Sequence, residues 1–298
     1  MKTFALLLFS GLALGAIYAL IALGFTVIYR ASRIINFAQG ELLALGACVT
    51  SALISADSLP FWLAFLIGAV ATAAAGFAFQ TFVLRFAVGK PDFTIVMLTL
   101  GLAIVVDSAL DAGFGAYPRS NGDPWGATVA HVAGLNVPWV QVWTIVAAVI
   151  LLVAFRLLNK YTRYGLAMRS AAADTEAAIA VGIPLKRVHG TAWALAGVVA
   201  CVGGVFLGGF PNTVSPSMSD VALLAFPAII LGGIDSTTGA VVGGFIIGVI
   251  QELTAGYQPK YAAFFGNDFY LVAPYIVMIL VLLVRPYGLF GSRPAERL

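Results

Sequence analysis

Long, nearly uncharged apolar stretches recur along this chain and limit its fold more than any other feature. Hydrophobic residues make up 61% of the 298 residues, and charged residues only 10%. A helix needs roughly 20 apolar residues to cross a bilayer core of about 30 Å. The stretches near that length are 4–29, 36–55, 61–84, 93–111, 140–158, 188–210, 219–234, 239–255 and 270–285. The sequence therefore predicts an all-α integral membrane protein, a polytopic bundle of about eight or nine transmembrane helices in a single domain over residues 1–298.

One of these stretches differs from the others. Residues 219–234 are among the shortest of these stretches, and they contain Pro227 and the pair Gly232-Gly233. Proline removes a backbone donor from a helix, and glycine weakens it. We therefore expect this stretch to be a broken or re-entrant helix.

The basic residues predict an orientation for the bundle. If all nine stretches cross and the N-terminus is outside, every Lys and Arg except Lys2, Arg119 and Lys260 faces the cytoplasm. Basic residues strongly favour that side of a membrane. We therefore expect an extracytoplasmic N-terminus and a cytoplasmic C-terminus. The longest inner loop is then about 159–187. The longest outer loop, about 112–139, is too short to be a receptor domain.

Several kinds of chemistry have no support in the sequence. Cys48 and Cys201 lie in apolar stretches, where a thiol packs as a small hydrophobic group. His131 and His189 have no acidic or cysteine neighbour at metal-ligand spacing. Residues 89–91 (GKP) lack the glycine-rich frame that binds nucleotide phosphates. We therefore predict a protein that is not an enzyme and that carries no cofactor or metal of its own.

The inner loop is the most informative region. Its alanine-rich middle predicts one short helix over about 165–182, closed by Gly182 and Pro184. Arg169 and Glu176 are seven residues apart and would share a face of that helix. A rigid helix across the cytoplasmic mouth could pass motion from a separate motor subunit to the spans. The alternative is an ordinary solvated linker helix.

Two segments 199 residues apart share a pattern and suggest duplicated halves. Residues 35–40 (INFAQG) and 234–239 (IDSTTG) each have Ile, an Asx residue, three further residues and Gly. Transporters often build their path from interrupted helices at a repeat interface. The alternative is a pair of helix starts with Asx caps. The predicted translocation path comprises Asn36, Gln39, Gly40, Glu41, Asp235, Thr238 and Gly239.

The predicted spans also contain closely spaced glycines and a few acidic residues. Gly-x3-Gly pairs at 11–15, 204–208, 239–243 and 244–248 predict close helix packing. The acids within predicted spans lie near the span ends, which favours interfacial solvation over a functional role. These acids are Asp107, Asp111 and Glu252.

In several segments the chain resembles the LivH-type permeases of branched-chain amino acid ABC importers, in the hydrophobic amino acid uptake transporter family. The matching segments are 18–24, 35–41, 163–183, 231–244 and 285–291. The resemblance implies a multi-pass permease of the bacterial inner membrane. It also implies a second, related permease, two cytoplasmic ATPases that bind ATP and Mg, and an extracytoplasmic binding protein.

The resemblance extends to the inner loop. Residues 176–182 resemble the opening of the loop by which ABC importers contact their ATPases. The implied coupling residues are Arg169, Asp174, Glu176, Ala177, Ala178 and Gly182.

The expected function is import of branched-chain amino acids, or of related amino-acid or amide solutes, driven by separate ATPases. The main alternative is a passive channel or secondary carrier for small polar solutes such as urea or amides. The inner helix counts against that alternative, because neither class needs a motor contact. A membrane enzyme would need a nucleophile, base or metal cluster within the spans, and the sequence has none.

Overall fold

The computed structural model is an almost entirely helical bundle, as the apolar stretches predict. It describes residues 2–86, 90–115, 117–132, 135–209, 211–261, 264, 266 and 268–291. Seven helices in this part of the chain are long and apolar enough to span a membrane. They are α1 (Lys2–Ser32), α2 (Gln39–Asp57), α3 (Phe61–Ala78), α4 (Asp92–Phe114), α5 (Trp139–Tyr161), α8 (Leu185–Leu207) and α11 (Thr237–Tyr261). A π turn (Phe79–Val83) and a 3-10 turn (Leu84–Phe86) extend α3.

The remaining elements are shorter. They are α6 (Arg163–Ala173), α7 (Thr175–Ala180), a 3-10 helix (Pro216–Asp220), α9 (Val221–Leu224), α10 (Phe226–Gly232) and α12 (Phe269–Val284). A small antiparallel hairpin of β1 (Val129–Val132) and β2 (Leu135–Pro138) lies in the loop between α4 and α5.

Helix α1 is the centre of the bundle and packs against α5, α8 and α11. Its contact with α11 depends on glycine. A Cβ added at Gly15 would lie 2.8 Å from the Cα of Phe245, and one at Gly11 would lie 2.8 Å from the Cα of Val249. Backbones this close leave no space for side chains, so the predicted role of the glycine pairs in helix packing is confirmed here.

The bundle has two chemically different ends. The basic end comprises the C-terminal ends of α1 and α5, the N-terminal end of α8, and α6 with α7. It carries Arg30, Arg33, Arg156, Lys160, Arg163, Arg169, Lys186 and Arg187.

At the opposite, aromatic end, the Trp125 ring stacks on Trp143 and Phe206, with centroids 5.9 and 5.6 Å away. Aromatic girdles of this kind are typical of membrane–water interfaces. The chain therefore has the pattern of a multi-pass membrane protein, and the assignment of either end to the cytoplasm stays a prediction.

The stretch predicted to be interrupted is broken into the 3-10 helix, α9 and α10. It starts towards the aromatic end, where Val214 and Met218 lie beside Gly208 at the end of α8. It finishes at Gly232, which is pressed against Gly239. Pro227 is in the first turn of α10, where its missing N–H costs no hydrogen bond. The prediction of a broken helix is confirmed.

The segment after α12 completes α10. The N–H of Leu289 donates to the carbonyl of Leu231 at 2.8 Å, and the N–H of Phe290 donates to the carbonyl of Gly232 at 3.1 Å. These carbonyls belong to the last turn of α10 and would otherwise lack a partner. The tail thus fixes α10 in place next to the start of α11.

Candidate functional site

The first predicted path segment forms a buried hydrogen-bond network. Asn36 Oδ1 accepts from the N–H of Ala38 at 3.0 Å, and Asn36 Nδ2 donates to Gln39 Oε1 at 3.4 Å. Gln39 Nε2 donates to the carbonyl of Ala196 in α8 at 3.3 Å. Asn36 is 0% exposed and Gln39 is 1% exposed. Within this chain the two amides are therefore enclosed, and their role in a translocation path stays a prediction.

Gly24 makes this network possible. A Cβ at Gly24 in α1 would overlap the side-chain amide of Gln39. Any larger residue would push Gln39 away from α8. The network therefore links α1, α2 and α8 at the point where α2 begins.

The next residues of α2 face a different neighbour. Gly40 lies against the carbonyl of Ser219 in the 3-10 helix. Glu41 is 9% exposed, its carboxylate lies close to the Ser219 side chain, and its Oε2 is buried with no hydrogen-bond partner. Asp107 and Asp220 are close enough to repel it. Asp107 is half-buried, and its interfacial solvation stays a prediction.

The second path segment is held differently. Ser236 Oγ accepts from the N–H of Gly239 at 3.0 Å and caps the start of α11, and an Asx cap by Asp235 stays a prediction. The carboxylate of Asp235 interacts electrostatically with Arg30. Gly239 lies against the carbonyl of Gly232 with no space for a side chain. Thr238 is exposed.

The two segments start their helices at the same depth. Gln39 lies beside Gly24, and Thr238 lines a cavity of about 270 Å³ together with Leu23. Both helices therefore begin about two turns before the end of α1. This equivalence agrees with the pattern of duplicated halves, although the duplication itself stays a prediction. The segments do not merge into one site, because the first bonds to α8 and the second packs on α10.

The inner loop does not form the single helix predicted over about 165–182. Helix α6 ends at Ala173 and α7 starts at Thr175. Asp174 lies between them, and its Oδ1 accepts from the N–H of Ala177 at 3.0 Å. Aspartate is a poor residue within a helix and a strong N-cap, which explains the break. The shared face of Arg169 and Glu176 required a continuous helix, so that prediction is wrong.

Arg169 points into the protein. Its guanidinium donates to the carbonyl of Asn159, next to Met168 and Arg30 around a very small cavity. The side chain of Glu176 is outside the described residues. The coupling role implied for both residues stays a prediction, and the geometry of Arg169 favours a role in holding α6 against α5.

Helix α7 ends where the sequence predicts, next to Gly182. Gly182 has a φ of 84°, its N–H donates to Ile179, and the N–H of Ile183 donates to Ala178, both at 2.9 Å. This is the Schellman pattern in which glycine ends a helix. Ala178 is buried and Ala177 is exposed.

Apolar side chains stand out from α6 and α7 at the basic end. Ile179 is 58% exposed, Val181 is 76% exposed, and Leu166 on α6 is also exposed. We name these three residues the inner apolar surface. The sequence of the loop does not reveal this surface, because alanines and charged residues outnumber these three apolar residues there.

The bundle and its interrupted helices define a class, the multi-pass α-helical membrane proteins. A family model described as "Branched-chain amino acid transport system / permease component" matches residues 7–282, and the chain belongs to that family. The chain is thus a permease component, as the resemblance implied.

Curated relatives agree with the family. The LivH protein of Salmonella typhimurium, a high-affinity branched-chain amino acid transport system permease protein, is 30% identical over 97% of this chain and 96% of its own. BraD of Pseudomonas aeruginosa is 27% identical over the same shares. LivM of Escherichia coli K12 is 25% identical over 95% of this chain and 70% of its own. The solved structure of PsaBC from Streptococcus pneumoniae in complex with Fab has a TM-score of 0.48 and 12% identity, covering 94% of this chain and 92% of that one.

Proposed function

We propose that the chain is the transmembrane subunit of an ABC importer in a bacterial inner membrane. It would translocate branched-chain amino acids or related small amino-acid or amide solutes. The observation that carries the proposal is the similarity to high-affinity branched-chain amino acid permeases over nearly the whole of both chains. The N-terminus would be extracytoplasmic and the basic end cytoplasmic, in agreement with the distribution of Lys and Arg.

A second, related permease is part of the proposal. The chain is similar both to LivH proteins and, more distantly, to a LivM protein, and both names belong to the same kind of transport system. Two related permeases can form a bundle with approximate two-fold symmetry. The path could then lie between them, which suits a chain whose own amides at Asn36 and Gln39 are enclosed.

The motor would be supplied by two cytoplasmic ATPases that bind ATP and Mg, and the solute by an extracytoplasmic binding protein. The inner apolar surface supports the ATPase contact, because exposed apolar groups on short helices beyond the spans are typical of protein interfaces. In this arrangement Asp174 and Gly182 set the start and end of α7, and Ile179 and Val181 make the contact.

The test is leucine uptake by the complete complex reconstituted into vesicles. We expect uptake against a gradient that requires ATP and the binding protein. A complex with an ATPase subunit unable to hydrolyse ATP should be inactive. If that complex still equilibrates leucine across the membrane, the chain acts as a channel or carrier and the proposal fails.

Substitution tests the motor contact separately. Val181→Asp should weaken ATPase binding by about tenfold or more, the range for a central interface residue. The matched control is Tyr117→Asp, an equally exposed large residue in the loop towards the aromatic end. Co-purification of the ATPase is the measurement. Equal retention in both variants would place the contact elsewhere.

A further inference from the structure

A cavity of about 250 Å³ lies near the aromatic end, between α1, α5, α8 and α11. This volume is close to the lower limit for small-molecule sites, about 300 Å³. Its walls combine a carboxylate, two carboxamides, two helix ends and a group of aliphatic and aromatic side chains. The cavity is separate from both predicted path segments.

Glu252 provides the only carboxylate among the residues that line this cavity. It is half-buried on α11 beside Gly11, whose added Cβ would lie 3.3 Å from the Glu252 Cβ. In the described part of the chain no Lys or Arg forms an ion pair with it. A half-buried carboxylate without a cationic partner is costly, and a cationic ligand would reduce that cost.

The end of α8 adds negative potential on the same cavity. The carbonyl of Leu207, in the last turn of α8, accepts from Asn212 Nδ2 at 3.0 Å, and the carbonyl of Gly209 accepts from the N–H of Asn212 at 2.9 Å, so each already has one partner. The last carbonyls of a long helix carry a partial negative charge. Together with Glu252 they favour an ammonium group.

The start of α5 has the opposite character. Val140 packs on Gly209, which brings the first turn of α5 next to the last turn of α8. No side chain caps α5. The N–H of Trp139 donates to the carbonyl of Thr128 at 3.1 Å, and the other first-turn N–H groups carry the positive end of the helix dipole. Gln141 Nε2 donates to Ser10 Oγ at 3.1 Å, which fixes the carboxamide at the cavity wall. This side favours a carboxylate.

The remaining wall is apolar. Leu14 and Ile17 of α1 lie opposite Phe206 of α8. The three side chains would accommodate an aliphatic group and offer it no hydrogen bond. The lining of this cavity thus includes groups suited to the cationic, anionic and aliphatic parts of one small ligand.

We propose that this cavity binds a small aliphatic α-amino acid as a zwitterion. Glu252 binds the ammonium group, and Gln141 with the first turn of α5 binds the carboxylate. The inference rests on the proposed function and deepens it by giving the permease a solute site of its own.

The test is protection of an introduced cysteine in the complete complex. Pro211→Cys places a thiol at the exposed edge of the cavity, while the native Cys48 and Cys201 are buried. Leucine should slow labelling by a small thiol reagent. Tyr117→Cys, exposed in the loop towards the aromatic end and outside this cavity, should show no protection. In Glu252→Gln the leucine concentration needed for protection should rise by about tenfold or more, and Glu252→Asp should recover part of the loss.

Two analogues test the two charges. We expect 4-methylpentanoate, which lacks the ammonium group, and 3-methylbutylamine, which lacks the carboxylate, to protect far less than leucine. Gln141→Glu should weaken protection by leucine and spare that by the amine. This second variant keeps the test valid if Glu252→Gln does not fold.

The failures of the two proposals are distinguishable. ATP-dependent leucine uptake with no protection at position 211 overturns the proposed binding site and leaves the proposed function intact. The proposed binding site is also overturned if leucine protects Glu252→Gln as well as it protects the protein with Glu252, or if 4-methylpentanoate protects as well as leucine. Absence of ATP-dependent uptake in the unsubstituted complex overturns the proposed function itself.

Discussion

Residues 35–40 and 234–239 have the same sequence pattern and the same depth beside α1, yet they are held by different means. The first segment is closed by side chains, through Asn36, Gln39 and the carbonyl of Ala196. The second is closed by backbone contact, with Gly239 against Gly232 and the tail bonded to α10. Similar sequence at equivalent positions therefore does not imply the same supporting contacts.

The two variants with the largest expected loss of stability each disrupt one of the two segments. Gly24→Leu would displace the Gln39 amide, and Gly239→Leu would force α11 away from α10. Gly239→Leu should cost about 3 kcal/mol or more, because the new side chain meets backbone. Gly24→Leu should cost about 1–3 kcal/mol, because the displaced end of Gln39 loses its buried hydrogen bonds. Thermal unfolding in detergent is the measurement. Gly101→Leu is the matched control, because nothing lies within 4 Å of a Cβ there. A similar loss of stability in Gly101→Leu would show that the unfolding midpoint responds to the added apolar side chain and not to the disrupted contact.

A smaller effect separates the two segments. Gln39→Ala leaves the buried Asn36 amide and the Ala196 carbonyl without their partner, at a cost of about 1–3 kcal/mol. Ser236→Ala removes only the cap of α11, at about 1 kcal/mol. The same unfolding measurement should rank the first variant as the less stable. The reverse order would mean that the serine cap, and not the amide network, is the stronger support.

The variant with the smallest expected effect on stability tests whether Thr238 borders the predicted translocation path. Thr238→Val keeps the shape of an exposed residue and removes its hydroxyl, so the unfolding midpoint should stay unchanged. If Thr238 borders the path, leucine uptake by the reconstituted complex should fall while its ATPase stays bound. Unchanged uptake would remove Thr238 from the path.

Much of the fold could be predicted because it depends on local chemistry. The spans follow from the length of apolar stretches in a solvent that cannot satisfy backbone groups. The interruption near Pro227 and the helix end at Gly182 follow from what proline and glycine do to their own backbone. The close contact of α1 with α11 follows from glycines at helical spacing.

The supporting contacts depended on atoms far away in the chain. Gln39 is enclosed because its partner is the carbonyl of Ala196, 157 residues later. Arg169 turns inward towards Asn159, so its sequence distance from Glu176 had no bearing on its position. Asp174 carries a cap signal, but only the structure showed that capping is favoured over a continuous helix at this position.

The sequence by itself determined that this chain spans a membrane, where its helices are interrupted and which family it resembles, because apolar length and backbone chemistry act within a few turns. Only the tertiary structure decided which polar groups are enclosed and which line a cavity. The sequence predicts only that Glu252 is an interfacial acid. It becomes part of a candidate solute site because the ends of α5 and α8 meet near it. That meeting depends on how four helices pack together.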